Sequence, residues 1–414
     1  MQENRSPFPH LWGLDPAVTF LNHGSFGACP LAVLDVQTEL RRELEAQPLR
    51  FFTRGFDERM DAALGELGEF VGAQGQDLAW VSNATAGVNT VLRSLEFAHG
   101  DELLATDHTY AACRNAMDDV ARRSGAQVKV AAIPFPLTSA DQVVDAILGA
   151  VNSRTRLALV DHVTSPTGLV LPIDRLVAAL QERGIDVLVD GAHGPGMLPL
   201  DLDRLGAAYY TGNCHKWLCA PKGSAFLHVR RDRQARVRPL SVSHGFASSR
   251  TDRSRFRLEF DWTGTPDPTP MLCVPAAIRF VGNLLPGGWP AWMAANRALA
   301  LHARDQLCAA VGVPVPCPEA MVGSLAAVPL PDLAGLDGGV CETDALQERL
   351  YQAGFEVPVF HWPALSLRIL RVAAQGYNDA SQFDRLAAWL RQAGAAIEPP
   401  KPCRDWPIES ASIP

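Results

Sequence analysis

Val187 to Leu227 reads VLVDGAHGPGMLPLDLDRLGAAYYTGNCHKWLCAPKGSAFL, and its pattern decides the fold. A short apolar run ends in a carboxylate, Asp190, and a small-residue turn follows that carries His193. A second apolar run, Ala207 to Tyr210, leads into Thr211-Gly-Asn213-Cys-His215-Lys216. A third, Ser224 to Leu227, follows a Pro-Lys-Gly turn. Short apolar runs bounded by turns read as buried strands. Open α/β sheets bind ligands beyond the carboxyl ends of their strands. Asp190 and Lys216 both sit just past such ends.

An acid and an amine offered to one pocket suggest pyridoxal phosphate (PLP) chemistry. The amine forms a Schiff base with the aldehyde, and the carboxylate keeps the pyridine nitrogen protonated. Spacing alone is weak, since an Asp at a strand end and a Lys in a loop are more often ordinary surface residues. The neighbours strengthen it. Asp190-Gly-Ala-His193 and Asn213-Cys-His-Lys216 resemble the cofactor motifs of the class V aminotransferase family, fold-type I PLP enzymes that include cysteine desulfurases. Leu21-Asn22-His23-Gly-Ser-Phe-Gly27 resembles the entry segment of its isopenicillin N epimerase-like branch.

Working outward, Leu78 to Ser82 reads as a strand that opens into Asn83-Ala84-Thr85-Ala-Gly, the start of a helix. Small residues there expose backbone N–H groups to a phosphate, and the helix dipole favours the anion. Asn and Thr are also common caps. The strand Glu102 to Ala105 runs into Thr106-Asp-His108-Thr-Tyr110, and Arg156 to Val160 into Asp161-His-Val-Thr-Ser165-Pro-Thr-Gly. Strands alternating with helices argue a mostly parallel, helix-covered sheet. The resemblance, which spans roughly residues 18 to 390, implies a fold-type I α/β architecture. Its parts are a mostly parallel seven-stranded sheet with helices on both faces and a smaller α+β C-terminal domain. We expect an irregular arm at residues 1–17, a large domain at 18–275, a small domain at 276–395 and a tail at 396–414.

The resemblance also implies roles. Lys216 forms the Schiff base and is the base for the substrate Cα proton. Asp190 holds the pyridinium, and His193 neighbours the phenolic oxygen. Ala84, Thr85, Asn213 and His215 bind the phosphate, and Thr265, in Gly264-Thr-Pro, reaches the cofactor of a partner subunit. That match implies a homodimer with shared active sites. His108 or Tyr110 stacks on the pyridine ring, and either one is a candidate second catalytic group beside Lys216. Ser165 stands where the family often has Asn, so its contact with the cofactor is less defined. Arg371, in Arg-Val-Ala-Ala-Gln-Gly-Tyr377-Asn378, takes the substrate carboxylate, for which a planar guanidinium is suited. Arg368 is the nearby alternative, and strand alternation does not decide between them. Arg54, Asn22 and His23 are further substrate-side candidates, with packing or turn roles about as expected.

PLP supports several reactions from one carbanion. Epimerase or racemase chemistry comes first, a carbon–sulfur β-lyase (cysteine-conjugate or sulfoxide lyase type) second, and an aminotransferase third. A non-catalytic PLP-fold binding protein is disfavoured because Asp190 and Lys216 are both present. Desulfurase chemistry is disfavoured because Gly354 to Leu370 has no cysteine, only His361 and Trp362, while Cys341 lies too early.

Composition agrees. The chain has 414 residues, 47% hydrophobic, with a net charge of −8, which argues against a general nucleic-acid or anionic-membrane surface. The basic runs at 230–238 and 250–257 read as solvated loop faces. Nine scattered cysteines have neither a disulfide framework nor metal-ligand spacing. With no apolar leader and no run of membrane-spanning length, the expected location is the cytoplasm.

Overall fold

The computed structural model describes residues 6–330, 344–362 and 367–394. Twelve strands run through them in chain order. They are β1 (Thr19–Phe20), β2 (Leu78–Val81), β3 (Glu102–Thr106), β4 (Gln127–Ala131), β5 (Thr155–Asp161) and β6 (Asp186–Asp190), then β7 (Tyr209–Asn213), β8 (Ala225–Val229), β9 (Leu325–Leu330), β10 (Phe355–Glu356), β11 (Val359–Trp362) and β12 (Leu367–Ala373).

Seven of them form one sheet in the order β2-β8-β7-β6-β5-β3-β4. Only β8 runs against its neighbours, β2 and β7; the remaining pairs are parallel. The central strands are continuous apolar runs because both sheet faces are covered. Val187 and Val189 enter one buried cluster with Ala158 and Val160, while Leu188 enters another with Leu157 and Leu159. The crossovers leave the C-terminal ends of β3, β5, β6 and β7 side by side, where Asp161 and Asp190 face each other in register.

The helix Ala84–Ser94 follows β2, and Asn83 caps it by accepting from Ala86 N–H at 2.8 Å. Gly87 lets this helix lie against β7, since a Cβ there would stand 2.2 Å from Thr211 Oγ1.

A second, antiparallel sheet, β11-β12-β9, packs against the helices Gly288–Val311 and Ala380–Gly394. The segment from Phe355 to Val359 is divided between two strands. Pro358 has no N–H for a ladder, so β10 pairs with β1 before it and β11 with β12 after it. The described part of the N-terminal arm carries a short 3-10 helix, Pro9–Leu11, and is anchored: Trp12 is buried and stacks 6.3 Å from Trp292.

The basic runs are largely solvated, with Arg231, Arg236, Arg238, Arg250 and Arg255 exposed, but some of their arginines turn inward to acids. Arg257 is buried and bonds Asp61 and Asp261, Arg253 joins the same acids, and Arg233 makes two bonds to Asp186. Buried guanidinium groups require such partners. All seven described cysteines are buried free thiols. Among the described residues there is no group that could hold a metal and no helix long and apolar enough to cross a membrane. Cys341 and the tail from 395 onward lie outside the described residues.

Candidate active site

Lys216 sits in a turn just after β7. Its carbonyl accepts from Cys219 N–H at 2.9 Å and lies 3.0 Å from His23 Nε2. His23 is fully buried, and its Nδ1 lies 2.9 Å from the Tyr377 hydroxyl and accepts from Ala28 N–H. With Nδ1 accepting, Nε2 carries the hydrogen that the Lys216 carbonyl receives. Gly27 packs directly on this backbone; a Cβ there would stand 2.0 Å from the His215 carbonyl oxygen. The entry segment therefore serves first to hold the lysine turn. Burial pushes His23 down to about 3, so it stays neutral.

Lys216 Nζ lies 3.3 Å from His193 Nε2. Burial, with Arg371 second, lowers Lys216 to about 8. An amine held there is a nucleophile and a proton acceptor near neutral pH. Asp190 ends β6, deeply buried; its Oδ2 accepts from the Cys113 thiol at 3.2 Å and its Oδ1 from Ala192 N–H at 3.0 Å. Burial raises its carboxyl above the usual range. Neighbouring Asp161 is raised further by burial and by Asp190, and its Oδ2 has no hydrogen-bond partner. An unpartnered buried carboxylate oxygen beside Asp190 fits a site that receives a protonated ring nitrogen.

Arg371 decides the opposite side. Its side chain is 2% exposed. It donates to the Ser165 carbonyl, to Ser165 Oγ at 3.3 Å and to Ser25 Oγ at 2.9 Å, and Ser25 in turn donates to Asn22 Oδ1 at 2.6 Å. The Phe360 ring lies 4.8 Å from its guanidinium carbon. No carboxylate pairs with it among the described residues, Nε is unpartnered, and burial lowers the group to about 10. A buried cation without an acid calls for an anionic ligand.

Arg368 differs. Two of its nitrogens bond Asp344 at 2.9 and 2.6 Å, and His361 Nε2 lies 2.7 Å from the same carboxylate. Arg368 is therefore neutralised and Arg371 is not, which separates the two candidates that strand alternation left open. Arg368→Ala strands Asp344 and should lower stability by about 3 kcal/mol or more, read as a fall in thermal midpoint. Cofactor affinity should stay unchanged, and a large loss of affinity would place Arg368 in the site.

The remaining candidates divide. Asn213 accepts from Ala84 N–H at 2.8 Å, so it ties the helix N-terminus to β7. Thr85 lies in the first turn of that helix, and His215 Nδ1 donates to the Ser224 carbonyl at 3.0 Å. Asn213 and Thr85 thus stand at a helix N-terminus, an end suited to a phosphate. His108 is fully buried, with Nδ1 2.7 Å from Thr167 Oγ1 and Nε2 3.3 Å from the Ile133 carbonyl. Tyr110 is 45% exposed, and its phenol is within electrostatic reach of Arg371. Arg54 and Thr265 are exposed and make no hydrogen bond to the cluster within one chain. His361 belongs to the Asp344 pair. Sequence reasoning missed Ser25, Cys113, Asp161, Trp217 and Phe360. Ser25, Asp161 and Trp217 lay within quoted stretches, whereas Cys113 and Phe360 are brought in by packing.

The comparisons place the chain in a family. The family model described as Aminotransferase class-V matches residues 28–334. An isopenicillin N epimerase of Amycolatopsis lactamdurans is 38% identical over 92% of this chain and 96% of its own. A probable chloroplastic L-cysteine desulfhydrase of Arabidopsis thaliana is 31% identical over 93% and 84%. The crystal structure of the cysteine desulfurase CsdA from Escherichia coli superposes with a TM-score of 0.75 at 20% identity, covering 94% of this chain and 98% of that one. When bound, PLP supplies an aldehyde for the lysine and an electron sink for the substrate α-carbon. The acid at a strand end, the depressed lysine and the acid-free arginine meet the pattern of that cofactor and an amino-acid substrate, and the chain belongs to the class V aminotransferase family as a PLP-dependent enzyme.

Proposed function

We propose that this enzyme removes and returns the Cα proton of an α-amino acid, with epimerisation as its reaction. The observation that carries the substrate class is Arg371, buried without an acid and close enough to Lys216 to depress it. A bidentate carboxylate completes its bonding. Lys216 handles the proton on one side. Tyr110, whose ring is exposed while that of His108 is enclosed, is the group we assign to the other. The likeness to the isopenicillin N epimerase supports this choice of reaction. A carbon–sulfur β-lyase is the second reading, supported by the desulfhydrase relative.

Proton NMR in deuterated water with L-amino acids and S-substituted cysteines separates them. Loss of the Cα signal from an intact substrate, with inversion on chiral analysis, supports epimerisation. Pyruvate and a released thiol or sulfenate would overturn it in favour of the lyase. Tyr110→Phe should lower inversion by about 100-fold or more, the usual worth of a positioned acid or base, while exchange with retention continues through Lys216. Equal loss of both would remove Tyr110 from this role.

We also propose a homodimer that completes the site. Phe26 (72% exposed), in the entry segment, and Leu49 (77%), in the helix Pro48–Thr53, expose large apolar surface, and Thr265 and Arg54 remain without site contacts in one chain. Sedimentation of the holoenzyme at micromolar concentration should give twice the chain mass; a monomer would overturn the shared site.

A further inference from the structure

The residue after the lysine has no part in the roles above. Trp217 Nε1 donates to His193 Nδ1 at 3.1 Å, and His193 Nε2 lies 3.3 Å from Lys216 Nζ. An indole nitrogen donates and cannot accept. His193 Nδ1 is therefore the bare nitrogen, and a neutral ring then carries its hydrogen on Nε2. The other tautomer, or a doubly protonated ring, would set two N–H groups against each other at 3.1 Å. Burial and the nearby cations act the same way, holding His193 well below its ordinary value.

Trp217 has no room to turn. It is fully buried, its ring centroid lies 5.0 Å from that of His23, and a Cβ on Gly24 would stand 3.4 Å from its Cζ2. Gly196, at φ +83°, packs onto its carbonyl, where a Cβ would stand 2.5 Å away. The indole is thus a rigid donor aimed at one imidazole nitrogen.

We propose that Trp217 is a positioning residue that fixes His193 as its Nε2–H tautomer and so makes it a one-way hydrogen-bond donor toward Lys216. His193 Nε2 already bears a hydrogen and Nδ1 is covered. A proton leaving the substrate α-carbon therefore goes to the Lys216 nitrogen and cannot be taken by His193. The donated hydrogen bond also favours the uncharged lysine nitrogen, adding to the effects of burial and Arg371. This rests on the assignment of Lys216 as the cofactor lysine, and it holds whether the reaction is epimerisation or elimination.

The test is nitrogen-15 NMR of the holoenzyme labelled at histidine, with the His193 signals assigned by their loss in His193→Gln. The expected spectrum shows a hydrogen on Nε2 and a bare Nδ1 from pH 6 to pH 9. A hydrogen on Nδ1, or a doubly protonated ring in that range, overturns the proposal without any change to Trp217. In Trp217→Phe the lock is absent, and Nε2 can accept instead of donate. The pH at which the visible absorption of the holoenzyme changes should then move up by about one unit, the size of one net hydrogen bond. An unchanged midpoint in a folded Trp217→Phe enzyme would overturn the proposal. A wild-type protein with no visible band when PLP is supplied would instead sink the cofactor assignment of Lys216, so the two failures are distinguishable.

Discussion

Lys216→Ala should abolish the covalent visible band and lower kcat by about 10⁴-fold or more, the scale seen when a catalytic nucleophile is removed. The prediction follows from what surrounds the amine. Lys216 has no acid partner among the described residues, and burial and Arg371 both disfavour its charge. Its contribution is therefore to chemistry rather than to the fold, since an unpaired buried cation stabilises nothing. The thermal midpoint of the cofactor-free variant should stay within a few degrees of wild type, or rise. Capture of PLP by cofactor-free wild-type protein should grow as pH rises through about 8, because only the uncharged amine attacks an aldehyde. A variant that keeps turnover within tenfold of wild type would overturn the assignment.

The second large effect is expected at Arg371. Arg371→Ala should reduce kcat/KM by about 10²- to 10³-fold, corresponding to loss of one partner of a buried, hydrogen-bonded charge pair at about 2–5 kcal/mol. Cofactor affinity should change little, because the guanidinium bonds Ser165 and Ser25 rather than the phosphate-binding groups. Arg371→Lys should recover little of the loss, since an ammonium cannot present two parallel donors to a carboxylate. The variant carries a spectroscopic sign as well. Arg371 lowers Lys216, so its removal should shift the lysine titration upward from about 8. Equal losses in substrate use and cofactor affinity would mean that Arg371 is not the carboxylate clamp.

The large sheet was legible because its central strands are buried on both faces. Runs such as Val187 to Val189 and Leu157 to Val160 stand out without any periodicity argument. The acid stands out for a related reason, since Asp190 directly follows such a run, whereas Lys216 lies three residues beyond the end of β7 and is marked by its motif. The choice between Arg368 and Arg371 was not, because it depends on Asp344, which pairs with one of them only after the small sheet forms. Trp217 reads in sequence as an ordinary core aromatic, and only its contact with His193 distinguishes it. Tyr110 is proposed over His108 on the grounds of exposure and of the bonds of the histidine ring, which no local pattern encodes.

The pairing of β1 with β10 sets an order of events during synthesis. The last strand of the large sheet, β8, ends at Val229, so the groups around the ring nitrogen and the lysine can assemble while translation continues. Ser25 must wait for Arg371, its partner 346 residues downstream. At roughly 5–20 residues per second, that interval is about 17 to 70 seconds. The residues through β8 are thus available well before Arg371, and the bond between Ser25 and Arg371 is among the last contacts of the cluster to form.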